Sequence, residues 1–406
     1  MEQFIYKVLP AVRMMLSKTG LHVVSFFEMQ EPSIMKQILK KDSMPLRLLN
    51  CFIVEEKLTL EEKLILIQKK ISSGTVFHCI CFEGFGCVLA GRNARTIFNL
   101  RDALNTLLNN DIEASDYIFR TLSQENDKGA NSPVLNKIAV ITGGAQGFGE
   151  GIARDLFAKQ ANVVIVDTNK DKGTALAEDL NRTHGTANKA LYIHCDISDE
   201  LSVKNMIGEV VKNFGGIDIF ISNAGILRAG DLDELDVSTF ELMTKINYSG
   251  YFICAKYASK IMKQQYHYAP EYFMDIIQIN SKSGLRGSNK NYAYAGAKFG
   301  GIGLTQSFAL ELMPYNIKVN SICPGNFLDG PLWADPKNGL FVQYLHAGKV
   351  PGAKTIDDVK KYYENQVPAK RGCRVDDVMK AIYYVIDQNY ETGQAIPVTG
   401  GQVMLK

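Results

Sequence analysis

Tyr294 and Lys298 stand four residues apart, a spacing that puts both on one face of a helix. A phenol beside an ammonium makes a usable base. Free tyrosine titrates at about 10, and a neighbouring positive charge lowers that by about 1–3 units. Ser281 lies upstream, just past the apolar run 276–279, which reads as a buried strand. A hydroxyl at a strand end is placed to reach a substrate oxygen, with Ser283 as the substitute. These types and spacings describe proton transfer to or from an alcohol.

The elements that position such a group are legible on either side. Residues 299–312 read as a helix leading away from Lys298. Far upstream, residues 138–141 form a short apolar strand. It runs straight into Thr142-Gly143-Gly144-Ala145-Gln146-Gly147-Phe148-Gly149, and residues 150–160 read as a helix. Glycines there let the backbone turn tightly and admit a pyrophosphate, which would sit on free N–H groups at the helix start. The next strand, 162–166, ends in Asp167, placed to bind ribose hydroxyls and to repel a 2′-phosphate. The glycine loop holds no Arg or Lys, so NAD is expected over NADP, although Lys170 and Lys172 are close in sequence.

Strands and helices keep alternating: strand 190–194 before Asp196-Ile197, helix 203–214, strand 217–221 before Asn223-Ala224-Gly225, and a long helix 240–262 carrying Asn247. Such alternation predicts an α/β fold, a Rossmann-type doubly wound parallel sheet with helices on both faces. Ligands in such sheets bind beyond the C-terminal strand ends. Gly143, Asp167, Asp196, Asn223, Ser281 and Pro324-Gly325 all fall there.

Composition bounds the rest. The 406 residues are 46% hydrophobic and 22% charged, with a net charge of +2, which gives no reason to expect nucleic acid or a membrane surface as partner. The eight cysteines include no CxxC pair. Cys79, Cys81 and Cys87 cluster without zinc-type spacing and read as buried free thiols of a reducing cytosol, so no metal is expected. Glu2, Lys7 and Arg13 interrupt the apolar N-terminus, unlike a signal peptide.

Residues 1–122 differ in texture and suggest a small α+β accessory domain: a helix over 58–71 capped by Thr59, strands over 75–81 and 85–89, and a helix over 93–122. Residues 123–133 are polar and rich in breakers, the expected linker, leaving 134–406 as the dinucleotide domain. The run Gly86-Cys87-Val88-Leu89-Ala90-Gly91 weakly resembles the C-terminal part of class II sugar-phosphate aldolases and epimerases. That family binds zinc through a His-x-His pair and a further histidine, whereas His22 and His78 form no such pair. A structural or oligomer-forming role is expected.

From about Leu135 onward the chain resembles the short-chain dehydrogenase/reductase family. The resemblance rests on Thr142-Gly-x-x-x-Gly-x-Gly149, Asp196, Asn223-Ala-Gly225, Asn247, Ser281, Tyr294-x-x-x-Lys298 and Pro324-Gly325. Of the 18 tyrosines, only Tyr294 has Lys four residues later. A narrower resemblance, to the sorbitol-6-phosphate 2-dehydrogenase branch, rests on residues 276–284, 297–307, 367–373 and 398–404. Two features depart from it: Asp329 stands where the family often has a Thr holding the nicotinamide amide, and ordinary members lack the N-terminal third.

The resemblance implies reversible hydride transfer between a nicotinamide and a secondary alcohol carbon. Tyr294 would exchange the hydroxyl proton, Lys298 would lower the phenol and bind the nicotinamide ribose, Ser281 would bind the substrate oxygen, and Asn247 would hold a water linking Lys298 to solvent. The cofactor would lie along Gly143, Gln146, Gly147, Phe148, Gly149, Asp167, Asp196, Ile197, Asn223, Ala224, Gly225, Pro324 and Gly325, besides Tyr294 and Lys298. A phosphate on the substrate needs cations, and Lys282, Arg286, Lys290, Lys370 and Arg371 are the candidates. Residues 327–366 would close over the site, with Trp333 and Phe341 shielding it or packing within the lid. A homodimer or homotetramer is expected by resemblance. Another polyol or polyol phosphate is the alternative substrate. A dinucleotide sensor acting through residues 1–122, or a bifunctional lyase–dehydrogenase, are the alternatives of other kinds.

Overall fold

Runs of valine and isoleucine build the sheet that carries the site. The computed structural model describes residues 2–17, 23–28, 51–74, 77–83, 85–108, 132–182, 187–228, 230–337, 339–346 and 348–404. Four strands lie before the glycine loop: β1 (Val23–Glu28), β2 (Cys51–Val54), β3 (Cys79–Phe82) and β4 (Gly86–Gly91). Seven follow: β5 (Ile138–Thr142), β6 (Asn162–Asp167), β7 (Ala190–His194), β8 (Ile219–Ser222), β9 (Met274–Ile279), β10 (Ile317–Pro324) and β11 (Ala395–Val398). These seven form one sheet in the order β11-β10-β9-β8-β5-β6-β7, and every pairing is parallel. Strands β5, β8, β9 and β10 are buried along their whole length; β5 and β8 read as apolar runs, whereas β9 and β10 also bury the polar side chains of Asp275, Gln278, Lys318, Asn320 and Ser321. Strand order reverses between β5 and β8, so a crevice opens beyond their C-terminal ends.

The expected helix over 240–262 is divided. Helix Val237–Thr244 passes through a π turn, Lys245–Ser249, into helix Gly250–Tyr268. Asn247 lies in that turn. Local π geometry shifts carbonyls off the α ladder and is found mostly at functional positions. Helix Tyr292–Leu312 begins earlier than the apolar pattern suggests and includes both Tyr294 and Lys298. On the far side of β10, buried Lys318 pairs with Asp275 at 3.1 Å and donates to the carbonyls of Ile386 (3.1 Å) and Gln388 (3.0 Å). It thereby caps the end of helix Val375–Asp387, where a cation is favoured.

Strands β1–β4 form a second sheet in the order β1-β4-β3-β2. Helix Leu60–Ser72 follows a full capping box between Thr59 and Glu62, as its sequence predicts. Helix Ala94–Leu108 starts where expected; residues 109–122, and the linker up to 131, lie outside the described residues. The sequence reading missed helix Glu2–Leu16 and strands β1 and β2. Charges interrupt the first segment's apolar pattern, and one of them is structural. Arg13 is fully buried and grips Asp218, just before β8, with bonds of 3.0 and 2.7 Å. One continuous apolar core runs from Phe4 and Val12 through Val24 and Leu89 to Val140, Val210 and Ala258. Among the described residues, no helix is long and apolar enough to cross a membrane.

Candidate active site

The crevice beyond β5 and β8 is held together by short polar side chains. Asn223, after β8, donates to the carbonyls of Thr142 and Gly143, each at 3.0 Å. The Thr142 hydroxyl accepts from the backbone of Asn223 and Ala224 at 3.0 and 3.1 Å. These bonds lock the two strand ends together. Gly143 has φ +61°, and a Cβ on Gly149 would collide with the Gly143 carbonyl, so both positions require glycine. Helix Gly147–Ala158 begins after Gln146, which makes no side-chain cap. Its side chain instead accepts from Lys172 at 2.9 Å. The helix start therefore keeps its first N–H groups free of a side-chain acceptor, a cradle for an anion.

Asp167, ending β6, accepts from the backbone N–H of Ala145 at 3.1 Å and of Asn169 at 2.9 Å. This turns its carboxylate toward the glycine loop. Asp196, after β7, is exposed and accepts from Ser198 N–H at 2.9 Å, while Ile197 is buried beneath it. Pro324 ends β10, and the Gly325 N–H donates to Val398 at 2.9 Å. Phe148 stacks on Phe327 with ring centres 4.5 Å apart, so the segment after Gly325 begins against the glycine-loop helix.

Ser281, Tyr294 and Lys298 come together at the end of β9. The Ser281 hydroxyl accepts from Ser283 N–H at 3.1 Å and lies beside the Tyr294 phenol. Ser283 thus positions Ser281 in this arrangement. The Lys298 ammonium lies 5.5 Å from the Tyr294 ring centre and donates to the Ile279 carbonyl at 3.0 Å. Burial brings Lys298 down to about 8. The cost of charging it is therefore present below about pH 8 and lifts as pH rises toward the ordinary lysine value. The expected lowering of the phenol is not what this arrangement produces. Burial pushes Tyr294 up, and the Ser281 hydroxyl beside it only partly opposes this. A lysine that loses part of its charge near neutrality is a weak acidifier.

Asn247 also differs from expectation. Its side-chain oxygen accepts from Ile226 N–H at 2.9 Å, and its amide donates back to the Ile226 carbonyl at 2.8 Å. The side chain is committed to fixing the backbone after Gly225, which leaves the main-chain carbonyl of the π turn as the group that would bind a water.

Sequence reasoning missed the polar chain behind this centre. Asn280 donates to the Lys298 carbonyl at 2.9 Å and to Gln278 at 2.7 Å. Gln278 accepts from Ser321 at 2.9 Å, and Ser321 meets Thr305 at 2.8 Å, which meets Tyr251 at 3.1 Å. The polar residues alternating within the apolar run of β9 were the available signal. Cys323, pushed up to about 12 by burial, also packs beside Lys298 and Tyr294.

The short chain dehydrogenase family model matches residues 137–335. Sorbitol-6-phosphate 2-dehydrogenase of Escherichia coli is 38% identical over 272 residues, which are 66% of this chain and 100% of that protein. This chain belongs to the short-chain dehydrogenase family. Trans-4-hydroxycyclohexanecarboxylate dehydrogenase of Sinomonas cyclohexanicum is 32% identical over 66% of this chain and 93% of that protein. Among solved structures, sorbitol-6-phosphate 2-dehydrogenase from Erwinia amylovora superposes with a TM-score of 0.60 at 37% identity, covering 66% of this chain and all of that one. Short-chain dehydrogenases bind a nicotinamide dinucleotide, and the donor set here fits one: a glycine cradle, uncapped helix N–H groups and an acidic strand end.

The five candidate phosphate cations of this short-chain dehydrogenase fall into two sets. Lys290 pairs with Asp231 at 2.9 Å, and Arg371 pairs with Asp377 through bonds of 2.6 and 2.9 Å. Lys370 donates to the Asn365 carbonyl at 3.1 Å. Lys282 and Arg286 make no ion pair among the described residues, and Lys282 is brought down by burial and by Arg286 beside it. Lys349, not singled out from sequence, lies near Lys290 and over the Tyr344 ring. Asp329 pairs with Lys360 of helix Ile356–Asn365 at 2.8 Å. Trp333 and Phe341 belong to a small lid core with Leu340 and Tyr344.

Proposed function

We propose that this short-chain dehydrogenase interconverts D-sorbitol 6-phosphate and D-fructose 6-phosphate with NAD as hydride acceptor. The observation that carries the reading is Ser281 beside Tyr294, with the Lys298 ammonium 5.5 Å from the Tyr294 ring centre and with Lys282, which makes no ion pair among the described residues, next in the chain. The nicotinamide, when bound, accepts the hydride. Ser281 and Tyr294 hold the substrate oxygen between two hydroxyls, and Tyr294 moves its proton. Lys298 orients the phenol from the same helix face and offers its ammonium to the nicotinamide ribose. Lys282 and Arg286 repel each other, and a phosphate dianion between them relieves that repulsion. The sugar-phosphate relatives point the same way. Another polyol or polyol phosphate is the remaining substrate alternative.

The test is NADH formation, followed by absorbance, across polyols and polyol phosphates. Sorbitol 6-phosphate is expected to turn over best. Activity with free polyols alone would overturn the phosphate reading. Lys282→Ala is expected to raise KM for the phosphorylated substrate by about 10-fold or more, a charge-assisted bond being worth about 1.5–3 kcal/mol, with little change for free sorbitol. Equal effects on both would remove Lys282 from the phosphate site.

Asp167 carries the preference for NAD in this reading. Removing its charge in Asp167→Ser is expected to weaken NAD and improve NADP, moving the ratio of kcat/KM values toward NADP. An unchanged ratio would show that the 2′ position is read elsewhere. Phe252 and Phe299 are exposed on the long helices behind the site, which supports a second copy of this chain covering them.

A further inference from the structure

The small N-terminal sheet holds a group of side chains that the dehydrogenase chemistry does not use. In β3, Cys79 and Cys81 are two residues apart and so share one face of the sheet. Cys51 of β2 lies directly opposite Cys79. Cys87 of β4 lies directly opposite Cys81. Cross-strand partners project to the same side, so four thiols from three adjacent strands converge on one face. The sulfurs of Cys81 and Cys87 are 3.1 Å apart and those of Cys79 and Cys81 are 3.6 Å apart. All three lie within 4.8 Å of one another, and all three residues are buried. Cys51 is half-buried and contacts the Cys79 thiol.

The Cys79–Cys81 distance is close to that of a coordination sphere, and the Cys81–Cys87 pair would open by about 0.7 Å to join it. A tetrahedral ion with metal–sulfur bonds of about 2.3 Å sets its ligand sulfurs about 3.8 Å apart. We propose that Cys79, Cys81 and Cys87, completed by Cys51, bind a thiophilic divalent metal ion such as zinc. On binding, each thiol transfers its proton to solvent and its sulfur forms one bond to the ion, with no change of oxidation state. A buried group of thiols with no ion would leave several weak donors facing one another in an apolar layer.

The site answers a structural need. The sheet has four strands of four to six residues. It shares its apolar core with the parallel sheet, and among the described residues its edge strand β2 pairs with β3 alone. An ion bridging β2, β3 and β4 would tie the edge strand β2 to the middle of the sheet. The cysteine spacing conceals this, because the ligands are gathered by strand pairing and not by a CxxC turn.

The test uses the full-length chain purified with a reductant. Elemental analysis is expected to find about one zinc per chain, and exchange for cobalt is expected to give strong sulfur-to-cobalt charge-transfer absorption with the visible bands of a tetrahedral ion. Titration with an organomercurial should release the zinc in step with thiol modification. Cys81→Ser should lose the ion, and Cys51→Ser, at the partly exposed corner, should weaken its binding. If Cys81→Ser does not fold, the wild-type metal content and the mercurial titration still decide. A reduced chain with eight free thiols that neither carries zinc nor takes up cobalt overturns the proposal. So does a Cys81–Cys87 disulfide found by peptide mapping.

Discussion

Tyr294→Phe is expected to reduce turnover by at least about 10²–10⁴-fold, the usual worth of a positioned acid–base group, while NADH binding stays within a factor of about 3, since the loss falls on a group acting in the transition state. The reasoning starts from burial. The phenol is buried beside Ser281, and burial raises it above its ordinary value. At neutral pH it is therefore protonated and ready to donate, which suits ketone reduction. Alcohol oxidation needs the proton to be accepted, so its kcat/KM should climb as pH rises toward and beyond the ordinary tyrosine range, while that for reduction falls. In the variant both slopes should flatten, because the titrating group is gone. NADH fluorescence measures binding, and pH profiles in both directions measure the chemistry. Retained turnover with an unchanged pH slope would place the proton transfer elsewhere. Ser281→Ala should be less severe, since Ser281 binds the oxygen and does not carry the proton.

The legible and illegible parts of this chain separate along physical lines. The parallel sheet announced itself because its first strands are short apolar runs alternating with helical segments, and because Gly143, Asn223 and Ser281 mark where strands end. The catalytic helix was legible from the Tyr294–Lys298 spacing. The phenol's environment was not. Spacing shows that two side chains share a face, but not how deeply both are buried, and burial decides the sign for Tyr294 and draws Lys298 down to about 8. The break at Asn247 was hidden for a similar reason, since a π turn leaves the apolar periodicity nearly intact. Among the cations near Ser281, sequence proximity could not separate Lys282 from Lys290 and Arg371, whose carboxylate partners Asp231 and Asp377 are supplied by tertiary structure and by a helix cap.

Arg13→Met is expected to destabilise the folded chain by about 3–5 kcal/mol, the cost of stranding a buried charge. Both side chains of the Arg13–Asp218 pair are fully buried. Burial opposes the guanidinium's charge, but Asp218 more than offsets it and holds Arg13 above its ordinary value. Asp218 also accepts from the Ile138 N–H at 2.8 Å, at the start of β5. The pair therefore joins the N-terminal helix to the strand that feeds the glycine loop. Without Arg13, the Asp218 carboxylate would stay in an apolar layer with neutral donors alone: Ile138 N–H, the distant Gln265 amide and the buried Tyr272 hydroxyl beside it. The double variant Arg13→Met/Asp218→Asn should recover much of the loss, because the neutral amide oxygen can still accept from Ile138 and no charge remains to be compensated. Denaturant unfolding of the wild type and of the two variants measures these differences through the transition midpoints. A loss below about 1 kcal/mol in Arg13→Met would mean that water or local rearrangement solvates Asp218. In that case the N-terminal helix would be held mainly by its apolar face, through Phe4, Val8 and Val12, with the Tyr6 hydroxyl on the Lys204 carbonyl at 2.7 Å.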